Sequence, residues 1–345
     1  MQPLALLNID DVQIFEEATV ESNILTLEKS PINSSFLVSN LSKSYKFGDS
    51  LSEYFEKNNF PFTPPNTPEW FVGEQSTGLL KNKIERETKL LKDFDVRINF
   101  GIKTGYNEAF IIDENKKNEL IALDNKNGSI IKPIIRGRDL KRYFYEFNNQ
   151  WVISTFPSLK INIEEYPHIH NYFLKIGKKR LEQTGHEGSR KKTSNKWFET
   201  QDSIGYWKEF EKEKIIWGEI SDRPKFAYDD QKYFAEATTF LMTGQNLKFL
   251  FAILNSKVSE WYFNLIGTTT GMGTNRWKKY KIEMLPIKQP SDLQEKEIEN
   301  IVNEILKTKK NYPTANTSYL ENQIDQLVYK LYDLTEEEIK IVEGN

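Results

Sequence analysis

The residues best suited to chemistry in this 345-residue chain are glycines, hydroxyls, amides and cations gathered in a few turns. The first such stretch runs from Phe100 to Asp113 and reads FGIKTGYNEAFIID. Gly101 to Asn107 reads as a turn with two glycines around Lys103 and Thr104, and 108–113 reads as a short apolar strand. A glycine turn lets backbone N–H groups come close to a ligand, and the lysine adds positive charge beside them. The combination suits an anionic backbone such as a DNA phosphate; a β-turn with an exposed lysine would look the same. Arg136-Gly137-Arg138 caps a strand expected over 130–135. Arginines placed there can make bidentate bonds to guanine O6/N7 or to phosphate, or can simply sit in surface ion pairs. A third stretch is the Gly/Thr loop over 267–275, completed by Asn275, Arg276, Trp277, Lys278 and Lys279. Its small residues permit close backbone approach and its cations supply charge, which suits an anionic ligand. It is not a P-loop, because the Gly-x-x-x-x-Gly-Lys-Ser/Thr order is absent.

The most basic segment lies over 175–196. It carries Lys175, Lys178, Lys179, Arg180, Arg190, Lys191, Lys192 and Lys196 against only Glu182 and Glu187. Gly177, Gly185, Gly188 and Ser189 interrupt it, which predicts a mobile loop. Trp197, Phe198, Tyr206 and Trp207 follow directly. A basic loop beside aromatics suits an arm that tracks phosphates, although a solvated charge run has the same composition.

Several function classes are disfavoured. The chain has no cysteine, which excludes disulfides and cysteine-ligated zinc and fits a reducing cytoplasm. The histidines, His168, His170 and His186, form no metal pattern. Glu219, Asp222 and Lys225 lie close in sequence, but Pro224 and the strand spacing argue against a nuclease metal site. No serine–histidine nucleophile pattern stands out. No apolar run is long enough to span a bilayer, and no signal peptide is expected. The Asp/Asn-Pro-Pro-Tyr/Phe motif of adenine-N6 methyltransferases is absent. Thr63-Pro64-Pro65-Asn66 lacks both the residue needed before the prolines and the aromatic after them. No glycine-rich S-adenosylmethionine loop follows a strand. Net charge is −3, yet charge is unevenly spread. From Ser291 to Asn345 there are twelve acids and six bases, so that end should face away from DNA, and the remainder is net positive.

The elements that would position these residues follow from periodicity. Strands are expected over 12–20, 23–27, 151–154, 215–220, 225–228 and 238–243. Helices are expected near 50–57, over 77–91, over 163–181 with a division at Pro167, and over 246–263 with a wide apolar surface. Ile298, Ile301, Val302, Ile305 and Leu306, then Leu320, Ile324, Leu327, Val328 and Leu331, predict a helical hairpin. The reading is an α+β fold: a curved mixed or antiparallel sheet with helices and long loops, ending in that hairpin. Its domains would be 1–69, ending in a connector; 70–289, the sheet domain that carries the basic turns; and 290–345, the hairpin.

The Phe100–Asp113 stretch resembles the opening signature of the TaqI-like C-terminal specificity domain, the target-recognition part of adenine-N6 DNA methyltransferases and type IIG restriction-modification enzymes. The likeness continues through IIRGRDL (134–140), WVI (151–153), WGEI (217–220), LNSK (254–257), LPI (285–287) and IDQLVY (324–329), covering roughly residues 70–343. It implies a partner in double-stranded DNA and a methyltransferase catalytic domain or subunit, with 1–69 a connector to or remnant of that catalytic domain, 70–289 the DNA target-recognition domain, and the Gly/Thr loop a second DNA-facing loop. On that resemblance Lys103, Lys178, Lys179, Arg190, Lys191, Lys192, Lys278 and Lys279 are the expected phosphate contacts, and Thr104, Asn107, Arg136, Arg138, Asn275, Arg276 and Trp277 the expected base or groove contacts. S-adenosylmethionine would belong to that catalytic part, with no cofactor held by this chain. Residues 1–30 resemble the last strands of such a catalytic domain. The LPI turn followed by a long helix is also similar to type I specificity subunits, but these carry two recognition domains and two long spacer helices.

Overall fold

The computed structural model describes residues 2–9, 22–30, 35–41, 45–46, 48–64, 75–267 and 274–344. The chain divides into two compact units, one of Met1–Arg86 with Thr269–Thr274, the other of Glu87–Thr268 with Asn275–Asn345. In the first unit, strands β1 (Gln2–Asn8), β2 (Asn23–Glu28), β3 (Phe36–Asn40) and β4 (Phe60–Phe62) form a mixed sheet in the order β2-β1-β3-β4. Helix α1 (Leu51–Asn58) starts where expected, with the Ser50 side chain accepting from the Glu53 N–H as an N-cap. Helix α2 spans Gln75–Glu85, ending earlier than the expected 77–91. The strand expected over 12–20 lies outside the described residues, as does most of the Gly/Thr loop, 268–273.

The second unit is built on two four-stranded sheets, where the sequence suggested one. It opens with the short strand β5 (Thr88–Leu90), then β6 (Val96–Phe100), the helical turn α3 (Asn107–Phe110), β7 (Ile111–Asp113) and α4 (Glu114–Leu123). Next come β8 (Ile131–Ile135), β9 (Gln150–Ile153), α5 (Pro167–Ile176) and α6 (Lys178–Leu181). Strands β10 (Lys214–Gly218), β11 (Ile220–Ser221), β12 (Ala227–Asp229), β13 (Phe234–Ala235) and β14 (Thr239–Gly244) follow. One sheet has the order β12-β10-β14-β6 and is antiparallel throughout; the other has the order β13-β8-β9-β7, with only the β13–β8 pair parallel.

The apolar runs are continuous because β7, β8 and β9 are covered on both faces. Ile111, Ile134 and Val152 pack with Ile216, Phe234 and Leu241 between the sheets. Ile112, Ile131 and Ile153 pack on the other side with Leu120, Ile169 and Phe173 of α4 and α5. Alternate strand residues point to opposite faces, so each face must be apolar when both are buried.

Helices α7 (Leu247–Asn255) and α8 (Lys257–Ile266) divide the single helix expected over 246–263. Ser256 breaks it by adopting an extended conformation and capping the second helix through its hydroxyl. All of α7 but Lys248 is buried, in keeping with its wide apolar surface. Phe251 meets the ring of Tyr228 on β12. Strand β15 (Asn275–Arg276) pairs with β11, and α9 (Lys279–Ile282) leads to β16 (Pro286–Lys288), which pairs with β5. The expected C-terminal hairpin is α10 (Asp292–Asn311) and α11 (Ser318–Leu331), followed by α12 (Glu336–Glu343). A reciprocal cap between Ser291 and Gln294 starts α10, as a capping box does. No helix among the described residues is long and apolar enough to cross a membrane.

Candidate nucleic-acid interface

The Phe100–Asp113 stretch folds as an extension of β6 that docks on the turn between β13 and β14. The Gly101 N–H donates to the Thr239 carbonyl at 2.8 Å and the Ile102 N–H to that of Ala235 at 2.7 Å. Gly101 is obligatory here, because a Cβ would collide with the Glu236 carbonyl oxygen. Thr104 is buried. Its hydroxyl accepts the Tyr106 N–H at 3.1 Å and donates to Asn107 Oδ1 at 2.6 Å. Those bonds start the helical turn α3, so the expected strand over 108–113 is confined to its last three residues. Asn107 Nδ2 then donates to Glu236 Oε1 at 3.1 Å.

Arg136-Gly137-Arg138 approaches the same β13–β14 turn from β8. The Gly137 N–H points to the Thr238 hydroxyl at 3.3 Å, and a Cβ at Gly137 would sit 2.8 Å from that oxygen. Asp139 is buried and accepts the Arg136 N–H at 2.9 Å and the Asn148 amide at 2.8 Å. Arg136 donates from Nη2 to Gln150 at 3.0 Å, while its Nε is buried without a partner among the described residues. The Arg138 side chain is 72 % exposed.

These turns enclose a cleft of about 660 Å³. Asn107, Arg136, Arg138 and Lys141 line it together with Glu219, Ile220, Lys225, Glu236 and Thr238. Arg276, opposite Ile220 in the β11–β15 ladder, pairs with Glu219 at 3.5 Å. Three of the expected base-reading residues, Asn107, Arg136 and Arg138, therefore line one cleft, and Arg276 stands behind its wall as the partner of Glu219. Asn275 adjoins them on β15 and is hydrogen-bonded to Asn264 at 2.6 Å. A space of this size admits a base edge or a single nucleotide but not a whole duplex. Among the described residues no cluster of His, Asp and Glu could hold a metal ion. Asp222 is tied to Lys225 at 2.6 Å, which with Arg223 holds its carboxyl down at about 2.

Three expected contacts have other employment. Arg190 is only 2 % exposed. Its guanidinium donates to the carbonyls of Thr104, Leu181, Trp197 and Glu199 at 2.7–2.8 Å. Burial, with Arg180 nearby, lowers it to about 10. A guanidinium buried this deeply, with four of its five N–H donors facing carbonyls, does not reach a phosphate, so the sequence-based role of Arg190 is corrected to that of a knot. Trp277 is also interior: it stacks on Phe263 at 3.9 Å between ring centres, donates to the Ser221 carbonyl at 3.1 Å, and its own carbonyl takes the Trp217 indole N–H at 2.8 Å. Thr104 acts from beneath, holding Asn107, and does not reach the surface.

The segment around Arg190 is correspondingly less free than its glycines suggested. The Gly185 N–H reaches the Arg190 carbonyl, the Arg190 N–H that of Glu182, and the Thr193 N–H that of Gln183, at 2.8–3.0 Å. Lys178, Lys179, Lys191, Lys192 and Lys196 remain exposed on this tied-down segment, and Lys103 on the neighbouring turn. Arg180 stacks over Tyr106 at 4.0 Å and Lys178 lies 5.9 Å from the Trp197 ring. Through Arg190 and Arg180 the basic segment is joined to the Thr104 turn, and so to one wall of the cleft. Lys279 is engaged with the Ile98 carbonyl at 3.0 Å and with Glu283 at 3.6 Å, and Lys278 is half-buried beside it.

Comparison with known families bears directly on this geometry. Residues 132–287 match the family of TaqI-like C-terminal specificity domains. This segment is a TaqI-like C-terminal specificity domain. The match contains the Arg136–Arg138 turn, β10 to β15 and the β13–β14 turn, and hence most of the cleft wall. It is narrower than the span of resemblance in the sequence and leaves the Phe100–Asp113 stretch outside, although that stretch completes the cleft of the specificity domain. The chain is also similar in fold to the type IIL restriction-modification enzyme MmeI, solved in complex with DNA, with a TM-score of 0.57 at 13 % identity over 99 % of this chain and 45 % of that one. A weaker likeness, with a TM-score of 0.44 at 13 % identity, is to the type IIG restriction endonuclease BpuSI, over 96 % and 43 % of the two chains. The chain thus spans less than half the length of either enzyme.

Proposed function

We propose that this chain is the DNA target-recognition part of a restriction-modification enzyme of the type IIG or IIL kind. The observation that carries the reading is the cleft in the specificity domain, where Asn107, Arg136 and Arg138 meet, with Arg276 paired to the cleft residue Glu219, beside a lysine-rich segment anchored to the same turn. Phosphate contacts by Lys103, Lys178, Lys179, Lys191 and Lys192, with Lys278 and Lys279 more weakly placed, would fix the register. Cleft side chains would then read base edges. The reaction served is methyl transfer to adenine N6. That assignment rests on the resemblance of the signature stretch. S-adenosylmethionine chemistry would come from a catalytic domain or subunit acting on cytoplasmic DNA, and no step of it is assigned to residues of this chain.

Fluorescence anisotropy of a labelled duplex against salt tests the reading. Binding should fall with a log–log slope of about −0.9 for each phosphate engaged. Glutamate at Lys178 and Lys179 should flatten that slope. Retention that does not respond to salt, or an unchanged slope in the double variant, would remove the basic segment from the interface.

A further inference from the structure

Resting on the reading above, we infer that Asn107 is a base-reading amide whose remaining donor and acceptor take an adenine. An asparagine amide offers two N–H donors and two lone pairs on oxygen. Two of the four are used from behind. The Thr104 hydroxyl accepts from Tyr106, so its one proton goes to Asn107 Oδ1. Glu236 is a carboxylate that can only accept, and its Oε1 takes one Nδ2 hydrogen. Its Oε2 already faces the N–H and hydroxyl of Thr238 at 3.3 and 2.8 Å.

Both supports are interior, Thr104 at 1 % and Glu236 at 8 % exposure. Glu236 is itself fixed by its backbone: its N–H reaches the Ile135 carbonyl at 2.9 Å and its carbonyl takes the Thr239 N–H at 2.9 Å. The orientation of the Asn107 amide is therefore set by the fold before any ligand arrives, and the exposed side of the amide lines the cleft.

Among the described residues, one N–H and one lone pair are left over. In the major groove adenine presents a donor, its N6 amino group, next to an acceptor, N7. Guanine presents two acceptors, thymine one acceptor and cytosine one donor. Only adenine matches a single asparagine that must both give and receive. The same couple exists in an unpaired adenine through N6 and N1, so a paired and an extruded adenine are two sources of one chemistry.

The test is selection from a randomised duplex pool with the full chain, followed by sequencing, for the wild type, Asn107→Asp and Asn107→Ala. The wild-type motif should contain an adenine preferred roughly 5- to 100-fold. In both variants that position should lose its preference while the other positions keep theirs. A purely structural role would instead weaken every position together, and that outcome, a motif lacking adenine, or an unchanged motif in Asn107→Ala overturns the inference.

Modified DNA with the wild-type chain removes any dependence on variant folding. Loss of binding on 7-deaza-adenine supports contact with a paired adenine, and loss on 1-deaza-adenine alone supports an extruded one. Full binding to both analogues refutes the contact. If the wild type retains no DNA at all, the recognition function itself fails; a wild-type motif that survives in both Asn107 variants defeats this inference alone.

Discussion

Replacing Arg190 with methionine separates its two possible roles cleanly. As a phosphate contact, the arginine would contribute to salt-dependent binding and little to stability. As the knot seen here, its loss strands carbonyls. The Thr104 carbonyl keeps the Gln201 N–H at 3.1 Å, and that of Glu199 keeps the Gln183 amide at 3.0 Å. The carbonyls of Leu181 and Trp197 lose the guanidinium donors that serve them. Each buried polar group left without a partner costs about 1–3 kcal/mol. Methionine fills much of the space and relieves the burial of an uncompensated charge, so the net loss should lie near the lower part of the combined range, about 3 kcal/mol. For a unit of this size that is a fall in melting temperature of about 6–12 °C. Circular dichroism melting gives the stability, and anisotropy measured well below the transition gives the salt slope. The expected outcome is a lower transition with an unchanged slope. A transition within a degree of wild type, with the slope reduced by about one, would refute the interior role.

Other substitutions probe the frame and the cleft. Lys214 and Asp229 form a fully buried ion pair in which Asp229 also accepts from Tyr145 at 2.7 Å and from the Gln231 and Tyr233 N–H groups at 3.0 Å. Lys214→Met should therefore cost about 3–5 kcal/mol in chemical denaturation, and Lys214→Met/Asp229→Asn should recover part of it. Trp277→Ala should cost about 3–5 kcal/mol, the usual range for an emptied aromatic site; a stability close to wild type would return Trp277 to the surface. Gly101→Ala should lower the melting temperature by forcing β6 away from the Glu236 turn, at about 1–3 kcal/mol or more. Arg138→Ala should leave stability within about 0.5 kcal/mol while weakening DNA binding.

Much of the frame is legible in the chain because its elements announce themselves locally. The apolar runs at Ile131–Ile135, Gln150–Ile153 and Lys214–Gly218 are strands, and the spacing of Ile298, Val302 and Ile305 does give a helix with that face buried. What local pattern misses is set by distant partners. Ser256 looks like any polar residue in a helix, yet its hydroxyl caps a new one. Glu108 to Phe110 reads as the start of a strand until the bonds of the Thr104 hydroxyl to Tyr106 and Asn107 turn it. In the candidate site, the turns bearing Asn107, Arg136 and Arg138 are visible as glycine–cation motifs. Glu236 is not, because its importance comes from a bond to a residue 129 positions away. Arg190 among lysines is indistinguishable from a solvated charge run, and Trp277 beside lysines from a stacking platform. Burial alone tells them apart, and burial is a property of the assembled sheets. Glu219 reads as a failed metal ligand in the sequence and is instead the partner of Arg276.

The central claim is that the cleft of the specificity domain faces DNA. A photo-crosslinking amino acid at Ile220, which is 56 % exposed and lines the cleft, tests it directly against one at Leu293, which is 81 % exposed on the acidic helix α10. On irradiation with duplex DNA, the account predicts a protein–DNA adduct from position 220 and none from position 293. An adduct from position 293 with none from position 220 would contradict it.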